Sequence, residues 1–151
     1  MDPYVKKLML EAYLELARAR WLKYRQHGRI QASLGTIQQE TPVEDEVAKR
    51  EAGSIAVAIE VMSRYAFWES ECLVKAGAAV QMLKRRGMPV TVYLGTARND
   101  AGEFVAHAWT RSGPWYITGA DDVAQYTVLT TFAVPKAEEG ARSHAGKTNP
   151  S

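Results

Sequence analysis

The sequence predicts an α+β fold in which amino-terminal helices, including one that carries the chain's lone cysteine, pack on an antiparallel β-sheet. Three observations lead there. Apolar residues recur at helical spacing through most of the first 86 positions. From Pro89 onward the pattern changes to alternation broken by Asn, Asp, Gly and Pro clusters. Helices first and a meander second is the order of an α+β domain rather than of repeated βαβ units. At 151 residues and 46% hydrophobic content the chain supports one core, so residues 1–135 read as a single domain and 136–151 as a flexible tail.

Residues 3 to 25 place Val5, Leu8, Met9, Ala12, Leu16 and Trp21 at helical spacing, with Gly28 just beyond. Leu8, Ala12 and Leu16 form the stripe that should face the core, while Arg18, Trp21 and Tyr24 lie on a basic and aromatic surface. Residues 29 to 40 carry only a weak pattern interrupted by Gly35. Thr41, Pro42 and Glu44 form a capping box that predicts a second helix from Thr41 to about Tyr65, with Gly53 and Ser54 able to bend it. A third helix follows, capped by Ser70, with Cys72 in its first turn, Leu73, Ala76, Ala79, Val80 and Leu83 on one face, and Arg85-Arg86-Gly87 as its end.

Pro89 ends the helical part. Val90 to Leu94 predicts a strand closed by Gly95, and Asn99 to Gly102 a turn. Glu103 to Thr110 predicts a second strand, Ser112-Gly113-Pro114 a turn, Trp115 to Thr118 a short third strand, and Tyr126 to Val134 a fourth that Pro135 ends. The tail from Lys136 has almost no apolar anchor, and His144 within it has no chemical context.

The formal charge of +2 is small and the basic residues are dispersed, which argues against a nucleic-acid footprint. No stretch approaches 18 uncharged apolar residues and no signal-peptide core opens the chain. The reading is a soluble, cytoplasmic protein with no membrane or nucleic-acid partner. One cysteine makes no internal disulfide and, with three histidines and no close ligand pair, gives no metal site and no sign of a cofactor.

Chemistry concentrates on Cys72 and His107. A cysteine at a helix amino terminus faces unpaired amides and the positive end of the dipole, which favour the thiolate, and the Cys72 backbone amide is placed to donate to an oxyanion. The plainer alternative is a small buried hydrophobe beside Leu73. His107 alternates with Val105 and Trp109 on one strand face, where an indole would shield an imidazole from bulk water; a backbone-satisfied histidine is its plainer alternative. An imidazole acting as base needs an acceptor on its other nitrogen. Asp121, with Asp122 as a second choice, follows the third strand and supplies that carboxylate; both also fit a turn, and a backbone group can take the role.

The segments Trp68 to Ala76, Met82 to Pro89, Tyr93-Leu94-Gly95, Ala106-His107-Ala108-Trp109, and Tyr126 to Leu129 followed by Phe132, resemble the transglutaminase-like leader-cleaving cysteine proteases of lasso peptide biosynthesis. The resemblance spans roughly residues 45 to 134. It implies a papain-like α+β fold in its transglutaminase-like form, with Cys72 as nucleophile and His107 as general base. It further implies a lasso precursor peptide as substrate, a separate small leader-binding protein that delivers it, an ATP-dependent macrolactam cyclase acting afterwards, and threonine at the penultimate leader position. The family's aspartate commonly falls where this chain has Thr118 and Gly119, which leaves Asp121 and Asp122 as displaced candidates. An amine acyltransferase using the same groups, and a peptide-binding module without catalysis, are the alternatives.

Overall fold

The structure, a computed structural model, describes residues 2–25, 32–65, 72–121 and 123–137. Three helices come first in the chain: α1 (Pro3–Arg25), α2 (Lys49–Tyr65) and α3 (Cys72–Arg85). Five strands, β1 (Thr36–Ile37), β2 (Val90–Arg98), β3 (Phe104–Ser112), β4 (Trp115–Thr118) and β5 (Thr127–Val134), form one sheet in the order β1-β5-β2-β3-β4, with every neighbouring pair antiparallel. This is the α+β arrangement that the change of periodicity at Pro89 predicts.

Helix α1 runs over the expected residues because its Leu8, Ala12, Leu16, Ala19 and Leu22 return to one side every three or four positions, and all five are buried. Trp21 stays half-exposed on the opposite side. Helix α3 is buried nearly all round, through Val74, Ala76, Ala78, Ala79, Val80, Met82 and Leu83. Its small residues let α1 and α2 approach on one side and the sheet on the other. Arg85 and Arg86 at its end bind Glu11, and Arg85 also binds Glu15, tying α3 to α1.

Helix α2 begins at Lys49 rather than Thr41. The predicted cap is spent elsewhere: Thr41 is buried, its N–H donates to Thr91 Oγ1 at 2.8 Å, and its hydroxyl lies 2.6 Å from the same oxygen. Its carbonyl accepts from Arg111 Nη2 at 2.6 Å. A local capping box gives way here to tertiary bonds that pin the loop of residues 38–48 on the sheet. The predicted cap Ser70, the residues 66–71 before Cys72, His27 and His144 lie outside the described residues.

Strands β2 and β3 extend beyond their predicted ends into a hairpin paired from Thr91↔Arg111 to Arg98↔Phe104. Its turn is locked by Asn99, whose Oδ1 accepts from the amides of Ala101 and Glu103. Val90, Val92, Leu94, Ala108 and Phe132 meet the helices in the core. By alternation the residues between them, Thr91, Tyr93 and Gly95 on β2 and His107, Trp109 and Arg111 on β3, line the other sheet face.

Candidate active site

Cys72 is the first described residue of α3, free and partly exposed, with its side chain against the edge of the core beside Leu73.

His107 sits on β3 opposite Gly95. Strand β4 pairs with Thr110, Arg111 and Ser112 and goes no further, so the histidine lies past its end, at an open rim of the sheet. The imidazole Nε2 is 2.7 Å from the carbonyl oxygen of Gly119. A carbonyl only accepts, so in this bond Nε2 carries the proton, and the neutral ring keeps its lone pair on Nδ1. One short contact therefore sets the tautomer that a general base requires.

Aromatic rings fix the plane of the imidazole. Tyr126 stacks on it with centroids 4.9 Å apart and Trp109 with centroids 5.8 Å apart, both nearly parallel. Trp109 is 4% exposed and stacks in turn on Tyr93 at 5.5 Å. Tyr93 Oη accepts from Arg111 Nε at 2.8 Å, and the same guanidinium reaches the carbonyls of Thr41 and Gly113. The loop of residues 38–48 thus supports His107 through a chain of direct contacts.

Two glycines make this geometry possible. A Cβ at Gly95 would stand 2.9 Å from the Trp109 ring and from the Thr127 carbonyl, so only a bare backbone lets the indole lie across β2. Gly119 has φ +70°, and a Cβ there would meet the Ala108 carbonyl at 2.4 Å and His107 Nε2 at 3.2 Å. Its carbonyl reaches the imidazole because it has no side chain.

A model of the transglutaminase-like superfamily matches residues 12–131. The chain belongs to that superfamily. Comparison with curated proteins and with solved structures gave no match. The superfamily includes cysteine proteases and acyltransferases, and the three helices with a five-stranded antiparallel sheet are its α+β fold.

The remaining predicted groups are placed as follows. Asp121 is exposed in the turn after β4, and among the described residues no hydrogen bond joins it to His107; Asp122 lies outside the described residues. Nor does a hydrogen bond join Cys72 to the imidazole among them. The Gly119 carbonyl, Tyr93, Tyr126 and Arg111 were not foreseen as members of the site. Alternation already set Arg111 and Tyr93 on the face of their paired strands that Trp109 shares, whereas a backbone carbonyl has no residue signature. Among the described residues no group of three His, Cys, Asp or Glu side chains is placed to hold a metal, and no helix is long and apolar enough to cross a membrane.

Proposed function

We propose that this member of the transglutaminase-like superfamily is a cysteine peptidase that removes the leader from a ribosomally made lasso precursor through a thioester on Cys72. The observation that carries the chemistry is the bond from His107 Nε2–H to Gly119 O, which leaves Nδ1 free to take a proton. Element lengths bear on the pairing with Cys72 only along the strand direction, because α3 packs on the face of Val92, Leu94 and Ala108 and alternation turns His107 to the other. Thirteen steps along α3 cover about 20 Å, and the strand from Val90 to Gly95 returns about 17 Å. Since only residues 86–89 separate helix from strand, these lengths carry the amino-terminal end of α3 back toward the level of Gly95 and His107, and the proposed pairing requires the two side chains to meet past the end of the sheet.

In the mechanism, His107 Nδ1 takes the proton of Cys72 and Sγ attacks the carbonyl joining leader to core. The Cys72 amide donates to the oxyanion. Collapse breaks the C–N bond as Nδ1–H protonates the leaving amine, releasing a core with a free amino terminus. Water, deprotonated by His107, then hydrolyses the thioester and frees the leader carboxylate. The imidazolium formed at each stage keeps its Nε2–H bond to Gly119, which stabilises the charge and holds the ring. Asp121 is the carboxylate that would share this orienting role from the turn that follows.

By the family resemblance, a small leader-binding protein delivers the precursor and an ATP-dependent macrolactam cyclase consumes the liberated amine. The test is intact-mass analysis of precursor incubated with this protein and the leader-binding protein. Leader and core should appear with the mass of one added water, and Cys72→Ala should yield neither. Cleavage by Cys72→Ala at the wild-type rate would refute the mechanism, and an amine-linked leader would assign an acyltransferase instead.

A further inference from the structure

Strand β5 is eight residues long, yet β1 covers only its Phe132 and Ala133. Beyond Ile37 the chain leaves the sheet edge. Gln38 takes a φ of 62°, donates its N–H to Thr131 O at 2.7 Å, and the loop runs inward to Thr41. Among the described residues, nothing continues the strand pairing along residues 127–130 on that side.

This open edge has two properties that point to a ligand. Its outer backbone N–H and C=O groups lack strand partners among the described residues, and such groups pair readily with an extended chain. The strand, TVLTTFAV, has no charged residue and no proline within it, Val128 and Leu129 are 46% and 67% exposed, and a bulge that leaves Leu129 without a partner on β2 is the one blunting device it carries.

We propose that this edge is the docking site for the substrate segment on the amino side of the scissile bond, bound as an antiparallel strand that continues the line of β1. The inference rests on the cysteine peptidase reading. Direction follows from β1, which passes from Ala133 to Phe132 as its own chain advances. A peptide in the same sense advances from Thr130 to Thr127 and sends its carboxyl end toward Tyr126, whose ring stacks on His107. Val128 and Leu129 then meet uncharged, aliphatic or β-branched side chains of the peptide.

Geometry sets the length. The edge position lies three strand spacings from β3, about 14 Å, which about four extended residues span. With about four more paired to residues 127–130, recognition takes about eight residues before the scissile bond.

The probe is a ten-residue peptide of Val and Thr ending in a chloromethyl ketone, with the same peptide as a plain amide for reversible binding. Sγ displaces chloride, so Cys72 gains the peptide by mass, while hydrogen exchange reads the amides of residues 127–131. The expected results are alkylation of Cys72, exchange in that segment slowed about fivefold or more by the plain amide, and a similar loss of alkylation rate when alternate, edge-facing peptide amides are N-methylated. Truncation to four residues should cost at least as much. Alkylation without exchange protection, and indifferent to N-methylation and truncation, overturns the docking edge and leaves the nucleophile standing. Protection without alkylation supports the edge and overturns Cys72 as nucleophile. Neither effect at millimolar peptide overturns both.

Discussion

Replacing Gly119 by alanine tests whether a backbone carbonyl orients the imidazole. The new Cβ would lie 2.4 Å from the Ala108 carbonyl, so these atoms must separate by about 0.6 Å to reach the 3.0 Å below which real contacts essentially never fall. His107 Nε2, 3.2 Å from the same Cβ, confines the movement on the other side. A displacement of that size stretches the 2.7 Å hydrogen bond to about 3.3 Å, outside good N–H···O geometry. Alanine at φ +70° adds left-handed strain, and with overpacking the variant should lose about 2–5 kcal/mol of stability. Rate must therefore be read on the folded fraction. Cys72 is the only cysteine, so iodoacetamide alkylation followed by intact mass reports its thiolate without a substrate. Gly119→Ala should shift the pH profile of that reaction and lower kcat/KM for precursor cleavage by about 10-fold to 100-fold. Asp121→Ala removes an exposed side chain and should change stability by less than about 0.5 kcal/mol. A folded Gly119→Ala with the wild-type pH profile and kcat/KM, beside an Asp121→Ala that loses tenfold, would refute the carbonyl's role and give it to the carboxylate.

His107→Ala should lower precursor cleavage by about 10²-fold or more on the folded fraction, because the proton carrier is lost, and should cost about 1–2 kcal/mol of stability through the lost hydrogen bond to Gly119 and stacking on Tyr126 and Trp109; cleavage within about threefold of wild type would reject the base. Leu16→Ala opens a cavity where α1 meets the core and should cost about 2–5 kcal/mol in urea unfolding, whereas a loss below about 1 kcal/mol would show that α1 docks loosely. Glu11 is held below its ordinary value of 4.5 chiefly by the hydrogen bond from Arg86, against desolvation and with the charges of Arg86 and Arg85 assisting. A lowered folded pKa gives stability that is present above 4.5 and lost as pH falls through the folded value, so Glu11→Gln should flatten the acid limb of the stability curve below about pH 5. An acid limb of unchanged slope would show that this pair does not tie α1 to α3 in solution.

The fold was legible in the sequence where burial has a period. Leu8, Ala12 and Leu16 announce α1 because a helix must return its apolar residues to one side. Trp115 to Thr118 announces a short strand between a glycine turn and a second glycine. The pairing of His107 with Trp109 on one strand face was equally local, since alternation alone decides which side chains share a side. Thr41 marks the limit. Its capping box is a genuine local preference, but the bonds it makes to Thr91 and Arg111 come from residues 50 and 70 positions away, and no window of sequence contains that competition. The acceptor for His107 belongs to the same class. Sequence reasoning looks for a side chain, whereas the structure supplies the Gly119 carbonyl, and any residue has a carbonyl. What made this one available is a left-handed backbone that brings it within 2.7 Å of Nε2 without a side chain in the way. Residue identity thus determined which groups this protein has for its chemistry. Which atom holds the imidazole was decided by tertiary structure, because it depends on the path of the backbone past the end of β4.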